Sequence, residues 1–303
     1  MADRDPPCLL TGLYGLLTGA TAFGLVIIAT ALLVLARQSA QGANLVYLSN
    51  QSQDDELWMA DADRGMLRNL SNRAGWDGGP AWSPDGSQLV FTSYRDGNLE
   101  LYTMQSDGSD VTRLTRNFDR DQEAAWSPDG QSLAFMSDRD GNWELYVLNL
   151  TNGVTTRLTH NLVEDRSPTW SPDGTQIAYV SYRRNNWAIF VMNADGSNAY
   201  PITTNSRVRD LDPAWSPDGQ QIAFISDRRG RNFEIYLMNV DGTNLQRLTH
   251  HPAMDSNPTW SADGRYLMFE SWRDGNVDLY RMNRDGTNLV RLTSSPARDA
   301  DPA

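Results

Sequence analysis

From residue 45 onward, apolar and polar residues alternate with a period of two, in short stretches that keep returning. QLVFTS (88–93), SLAFMS (132–137), QIAYVS (176–181), QIAFIS (221–226) and YLMFES (266–271) place Leu or Ile and an aromatic on one face of an extended strand. LVYLSN (45–50) is a further copy. A following run, LELYTM (99–104), WELYVL (143–148) or FEIYLM (233–238), reads as a partner strand, and a shorter run ending in RLT reads as an outer one. In front of each set stands a run such as GPAWS (79–83), with small Ala81, Ala125, Thr169, Ala214 or Thr259 beside a Trp, as suits strands that crowd together. SPDG supplies the first turn, with Pro at its first corner and Gly free to take positive φ. RDGN (95–98, 139–142, 273–276) reads as a tight hairpin. The 3.6-residue spacing of a helix is absent.

Trp82, Trp126, Trp170, Trp215 and Trp260 recur every 44 or 45 residues. A four-stranded unit repeated at that period predicts an all-β fold, a β-propeller, and six copies of the second strand make it six-bladed. The ends of the repeat do not coincide with the ends of a blade. Residues 45–71 supply a second, third and fourth strand without an inner one, and DADPA (299–303) matches the start of an inner strand, DLDPA (210–214). Together they predict that 299–303 completes the first blade, which removes the free edges of an open array.

PAWSPDG followed by SDRDGN and RLT resembles the repeat of the TolB-like six-bladed propellers, over essentially all of 44–303. The resemblance implies the fold. For function it implies several roles that similar propellers fill: periplasmic partner binding, lids on prolyl oligopeptidase-type hydrolases, and sensor domains.

Ahead of the repeats, a tail (1–7) leads into residues 8–36, which contain no charged side chain and are long enough to cross a bilayer as one transmembrane helix. The stretch exceeds the apolar core of a cleaved signal peptide, so the expectation is an anchor in preference to a cleaved signal, a linker at 37–43, and a propeller outside the cytoplasm. The net charge is −12, and residues 44–303 carry all of it, with 24 Arg, no Lys and 36 carboxylates. Such a surface repels phosphate backbones, which argues against nucleic acid as a partner. Cys8, the single cysteine, precedes the repeats, so the propeller holds no disulfide and no cysteine-ligated zinc.

Catalytic chemistry is poorly represented. There is no GxSxG elbow. His160, His250 and His251 fall in loops of blades 3 and 5, where they do not converge on one metal. The expectation is a non-catalytic binding or scaffold module for a protein or glycan partner in the cell envelope, with a ligand or cation sensor at the channel mouth as the alternative and a propeller hydrolase or lyase behind it. No cofactor is implied beyond a divalent cation at that mouth.

Two residue sets carry these expectations. Asp77, Asp121, Asp165, Asp210, Asp255 and Asp299 hold one register, five residues ahead of the Trp or of its missing counterpart. At the loop entering each inner strand they would ring the channel mouth, either binding a cation or each fixing its own turn. The second set departs from the repeat. RDGN becomes RRNN (183–186) and RRGRN (228–232) in blades 4 and 5, bringing Arg183, Arg184, Arg228, Arg229 and Arg231 beside Trp143, Trp187 and Phe233. Ala188 replaces the usual acid, such as Glu100 or Glu144, which would leave Arg183 without its local partner. Arginine with aromatics on one sector points to a docking surface for an anionic partner.

Overall fold

A computed structural model describes residues 44–61, 66–205, 207–230 and 232–303. The apolar segment 8–36 lies outside them, and among the described residues no helix is long and apolar enough to cross a membrane.

Small residues and β-formers in the predicted runs build six antiparallel sheets of four strands each. Blade 3 shows the order from axis to rim: inner strand Asp121–Trp126, second Ser132–Ser137, third Glu144–Asn149, outer Thr155–Arg157. Blade 1 draws its inner strand from the other end of the chain. Asp299–Ala300 pairs with Leu45–Ser49 in the register Ser49↔Asp299 and Leu48↔Ala300. Beyond it, the Val46 and Ala303 backbones exchange N–H to C=O bonds of 3.0 and 2.8 Å.

The core lies between blades, not within one. Val46, Leu57 and Met59 of blade 1 pack on Leu89, Phe91, Tyr102 and Met104 of blade 2, and like clusters follow around the ring. Second strands are therefore buried on both faces along almost their whole length, as in SLAFMS. In blades 3 and 6 the Trp of the repeat ties the blade to its predecessor: the Trp126 and Trp260 Nε1–H groups donate to the carbonyls of Ala81 and Ala214, both at 3.1 Å.

Strand alternation sorts the connections onto two faces. SPDG and the third-to-outer turns form one, the turn face. The second-to-third hairpins and the loops into the next blade form the other, the loop face.

Two local readings are corrected. Each inner strand begins at the aspartate itself, as in Asp77–Trp82, so that residue lies within the sheet and not in an entering loop. Second, RDGN is not a two-residue hairpin. In blade 2 the ladder stops at Ser93↔Glu100, whereas blade 4 continues to Arg183↔Asn186 and turns on Arg184 and Asn185 alone, at φ 54° and 63°. Both central residues at positive φ mark a type I′ turn.

Candidate functional site

The six register aspartates are all buried, at most 2% exposed. In blades 2, 3, 5 and 6 a guanidinium eighteen residues on occupies each carboxylate: Arg95 on Asp77 at 3.2 Å, Arg139 on Asp121 at 2.9 Å, Arg228 on Asp210 at 2.6 Å and Arg273 on Asp255 at 2.9 Å. The same arginine donates through Nε to the buried second-strand serine, as Arg95 does to Ser93 at 2.7 Å, and stacks on that blade's own aromatic pair, Phe91 and Tyr102 in blade 2. Serine, aspartate, arginine and two rings thus form a closed unit inside each blade. Among the described residues no group of three or more His, Cys, Asp or Glu is placed to hold a metal ion.

Two blades break the unit. In blade 1, Asp299 has serines in place of the arginine, accepting from Ser49 at 2.6 Å and Ser295 at 3.1 Å. In blade 4, Arg183 bonds Ser181 at 3.0 Å and lies over Phe190, yet makes no ion pair with Asp165, whose Oδ1 is left without a hydrogen-bond partner. Burial holds the Asp165 and Asp299 carboxyls above the ordinary aspartate range.

The role assigned to Ala188 needs revision. The acid at its position elsewhere serves a different arginine, thirteen residues on: Glu100 pairs with Arg113 at 2.9 Å, Glu144 with Arg157 at 3.0 Å and Glu234 with Arg247 at 2.7 Å. Arg113 and Arg157 also reach the hairpin aspartates Asp96 and Asp140, which accept from Tyr102 and Tyr146. Blade 4 has lost all four members of this network together, to Arg184, Ala188, Phe190 and Pro201. Blade 5 has lost only the hairpin aspartate, to Arg229, and there the buried Tyr236 hydroxyl has no partner.

The aromatics of the predicted docking sector are largely covered. Trp143 is only 8% exposed, with Arg120 4.7 Å from its ring centre, and Arg166 lies 5.2 Å from that of Trp187. Arg209 covers Phe233 at 4.6 Å. These covering arginines are themselves neutralised, Arg120 by Asp138, Arg166 by Glu164 and Arg209 by Asp227. Arg228 is held by Asp210, so among the described residues only Arg184 and Arg229 of the predicted arginines stand exposed and without a carboxylate. Arg231 lies outside the described residues. The histidines stay in separate loops: His160 is exposed, and His251 Nδ1 accepts from the Ala253 N–H at 3.1 Å.

A different ring faces the axis. In blades 2 to 6 the inner strand bulges three residues ahead of its Trp, and the residue there takes positive φ: Gly79, Glu123, Ser167, Asp212 and Asn257, joined by Asp301 at the same repeat position of blade 1, at 57° to 47°. Bonds link these positions from blade to blade. Ser167 donates to Glu123 at 2.9 Å, and Asn257 to Asp301 at 2.8 Å. Glu270 joins from a second strand, where other blades carry Thr92, Met136, Val180 or Ile225. Fully enclosed, it accepts from the Asp301 N–H at 2.8 Å and from Asn257 at 2.5 Å. Burial, followed by the charges of Glu123, Glu270 and Asp301, pushes Asp212 up to about 7. Burial and the Asp301 charge push Glu270 up to about 7. The bonds that join Asn257, Glu270 and Asp301 bring carboxylates of blades 6 and 1 together in one enclosed space. Sequence reasoning missed the ring because its six residues have no common type; the Gly, Asn and Asp among them, which tolerate positive φ, were the available signal.

Six four-stranded blades, closed by strand exchange and with their repeated polar groups locked inside, define a propeller-type binding scaffold. The chain belongs to the TolB beta propeller domain family, which its sequence matches over residues 24–161, 139–210 and 166–303. No curated protein matches it. Among solved structures it is similar to TolB from Acinetobacter baumannii, with a TM-score of 0.76, 21% identity and coverage of 86% of this chain and 66% of that one. It therefore spans just under two thirds of that protein. It is also similar to a TolB candidate from Agrobacterium tumefaciens, with a TM-score of 0.68, 25% identity and coverage of 84% and 89%. An oligogalacturonate lyase from Vibrio parahaemolyticus shares the fold at a TM-score of 0.61 and 15% identity, covering 84% and 75%.

Proposed function

We propose that this propeller is a membrane-tethered, extracytoplasmic and non-catalytic binding module that holds a protein or glycan partner in the cell envelope on its loop face. The observation that carries the reading is the exposure of Phe118 and Leu162, at 103% and 97%, on consecutive loops of that face. Large apolar side chains held fully in water at matching positions suit an interface and contribute nothing to the fold. The TolB likeness supports a protein partner and a place outside the cytoplasm. Strand Leu45–Ser49 begins on the turn face, so an anchor at 8–36 would direct the loop face away from the bilayer. The non-catalytic reading is supported by the way the repeated Asp, Glu and Arg groups are spent on one another.

The test is capture of envelope proteins and glycans by the tagged full chain. Wild type and the channel variants Glu123→Gln and Asp212→Asn are expected to retain the same partner, and Phe118→Ser with Leu162→Ser to lose it. Loss with the channel variants alone would instead support a channel sensor, the reading favoured by the raised carboxyls of the axial ring.

A further inference from the structure

Three residues ahead of each inner-strand aspartate, the six loops present Ala74, Phe118, Leu162, Arg207, Pro252 and Pro296, all exposed. Three of the six are too small or too rigid to reach far. The other three are consecutive, and their character changes along the arc from aromatic to aliphatic to cationic. Arg207 continues into the two hairpin arginines beside it, Arg184 of blade 4 and Arg229 of blade 5. All three are exposed, and none reaches a carboxylate among the described residues. This occurs on a chain of net charge −12, in which Arg95, Arg120, Arg139, Arg166, Arg209, Arg228 and Arg273 of the same face are each neutralised by a neighbour.

Building on the binding-module reading, we infer that the arc Phe118–Leu162–Arg207, extended by Arg184 and Arg229, docks an acidic protein segment: apolar side chains over blades 2 and 3, carboxylates over blades 4 and 5. Charge complementarity selects the carboxylates, because three unneutralised guanidiniums on separate tips offer forked donors that carboxylates satisfy without displacing an internal partner. The apolar end selects peptide over polysaccharide. Stacking on sugar rings calls for a platform of open aromatics, and here Trp143, Trp187 and Phe233 are roofed by Arg120, Arg166 and Arg209, which leaves Phe118 as a single open ring beside the aliphatic Leu162. Such a pair buries readily against Leu, Ile or Val side chains of an adaptable segment.

The experiment measures binding of fluorescent probes to the full chain by anisotropy. The probes are a synthetic peptide with a Leu/Phe block followed by a Glu/Asp block, two half-peptides in which Ser replaces one block, and polygalacturonate. The block peptide is expected to bind at least tenfold tighter than either half-peptide and tighter than polygalacturonate. Phe118→Ser with Leu162→Ser should weaken it about tenfold at any salt concentration. Arg184→Glu with Arg207→Glu should weaken it by at least as much and abolish its salt dependence. Arg265→Glu, on the opposite turn face, is the control and should change binding less than twofold. Preference for polygalacturonate, equal binding of the half-peptides, no binding of the block peptide, or indifference to the paired substitutions would each overturn the inference. The broader reading would stand through any of these if envelope capture still depended on the loop face.

Discussion

Asp165 and Arg183 occupy the positions that form a buried ion pair in four of the other blades, and in blade 4 they do not meet. The guanidinium is drawn onto Ser181 and the Phe190 ring, and the carboxylate keeps one oxygen without a partner. A buried carboxylate of this kind contributes little to stability, whereas its paired counterparts would leave an orphaned cation behind if neutralised.

Asp121→Asn is therefore expected to cost about 3 kcal/mol, because Arg139 loses both of its carboxylate bonds. Asp165→Asn should lie within about 1 kcal/mol of wild type, since an amide removes an unpaired charge. Urea denaturation of the two variants checks the difference; equal costs would mean that the pair in blade 3 is not what stabilises it. With guanidiniums seated on the aspartates, calcium or manganese should leave the melting temperature of the wild type unchanged. A rise that Asp121→Asn and Asp210→Asn suppress would show instead that cations displace the arginines.

Arg229→Asp would restore the hairpin acid that blade 5 lacks, giving the Tyr236 hydroxyl an acceptor and Arg247 a second carboxylate. A gain of about 1 kcal/mol follows for a neutral-to-charged hydrogen bond with little desolvation left to overcome. On a domain of this size it should appear as a rise of about 2–4 °C in Tm by calorimetry. An unchanged Tm would show that the longer hairpin of blade 5, which leaves the ladder at Ser226 and rejoins it at Glu234, keeps the new carboxylate out of reach.

Stability should fall as pH rises from mildly acidic to mildly basic. Asp212 and Glu270 titrate near 7 in the folded protein, against about 4 in the unfolded chain. Between these values the folded state holds protons that the unfolded state releases. Their stabilising effect is complete below about pH 4 and is lost through pH 7. The depressed carboxyls, such as Asp85 and Asp218 at about 2, lose their contribution only in acid and leave this window undisturbed. Unfolding free energy at pH 5.5 should exceed that at pH 8 by about 1–3 kcal/mol, and Asp212→Asn should flatten the slope. A slope of opposite sign, or one untouched by that substitution, would remove the axial ring as its source.

Deleting 299–303 should cost on the order of 5 kcal/mol, as expected when several buried partners are lost at once. The deletion takes away the Ser49–Asp299 bond, the Val46–Ala303 pair and the Asn257 and Glu270 contacts of Asp301. Asp301→Ala alone should cost less, because the strand pairing survives. Equal stability of the truncated and intact chains by calorimetry would exclude the closing strand as a structural element.

Much of this fold was legible because each strand is written out several times, so that Trp82 and its counterparts set the period and the mismatched ends at Leu45 and Ala303 disclosed the closure. The site was less legible, for two physical reasons. The aspartates were visible as a register, but their arginines stand eighteen residues away, on another strand, and only pairing brings them together. Ala188 illustrates the difficulty, since its true counterpart is Pro201 on the outer strand and not the nearer Arg183. The axial ring left only a faint trace, the Gly, Asn and Asp at four of its positions, because Gly79, Glu123 and Ser167 share a backbone twist and no side-chain chemistry. Phe118 and Leu162 did stand at one repeat position, yet only their exposure separates them from the many apolar residues of the strands.

The closing strand also fixes when the molecule can mature. Because the inner strand of blade 1 is made after the other five blades, the N-terminal blade must wait through their synthesis with the Leu45–Ser49 edge unpaired. An open edge of that kind invites pairing with another chain. If the chain is exported through a membrane, arrival of residues 299–303 on the far side is the event that turns a row of sheets into a ring, and a translocation stalled before them would leave that ring open.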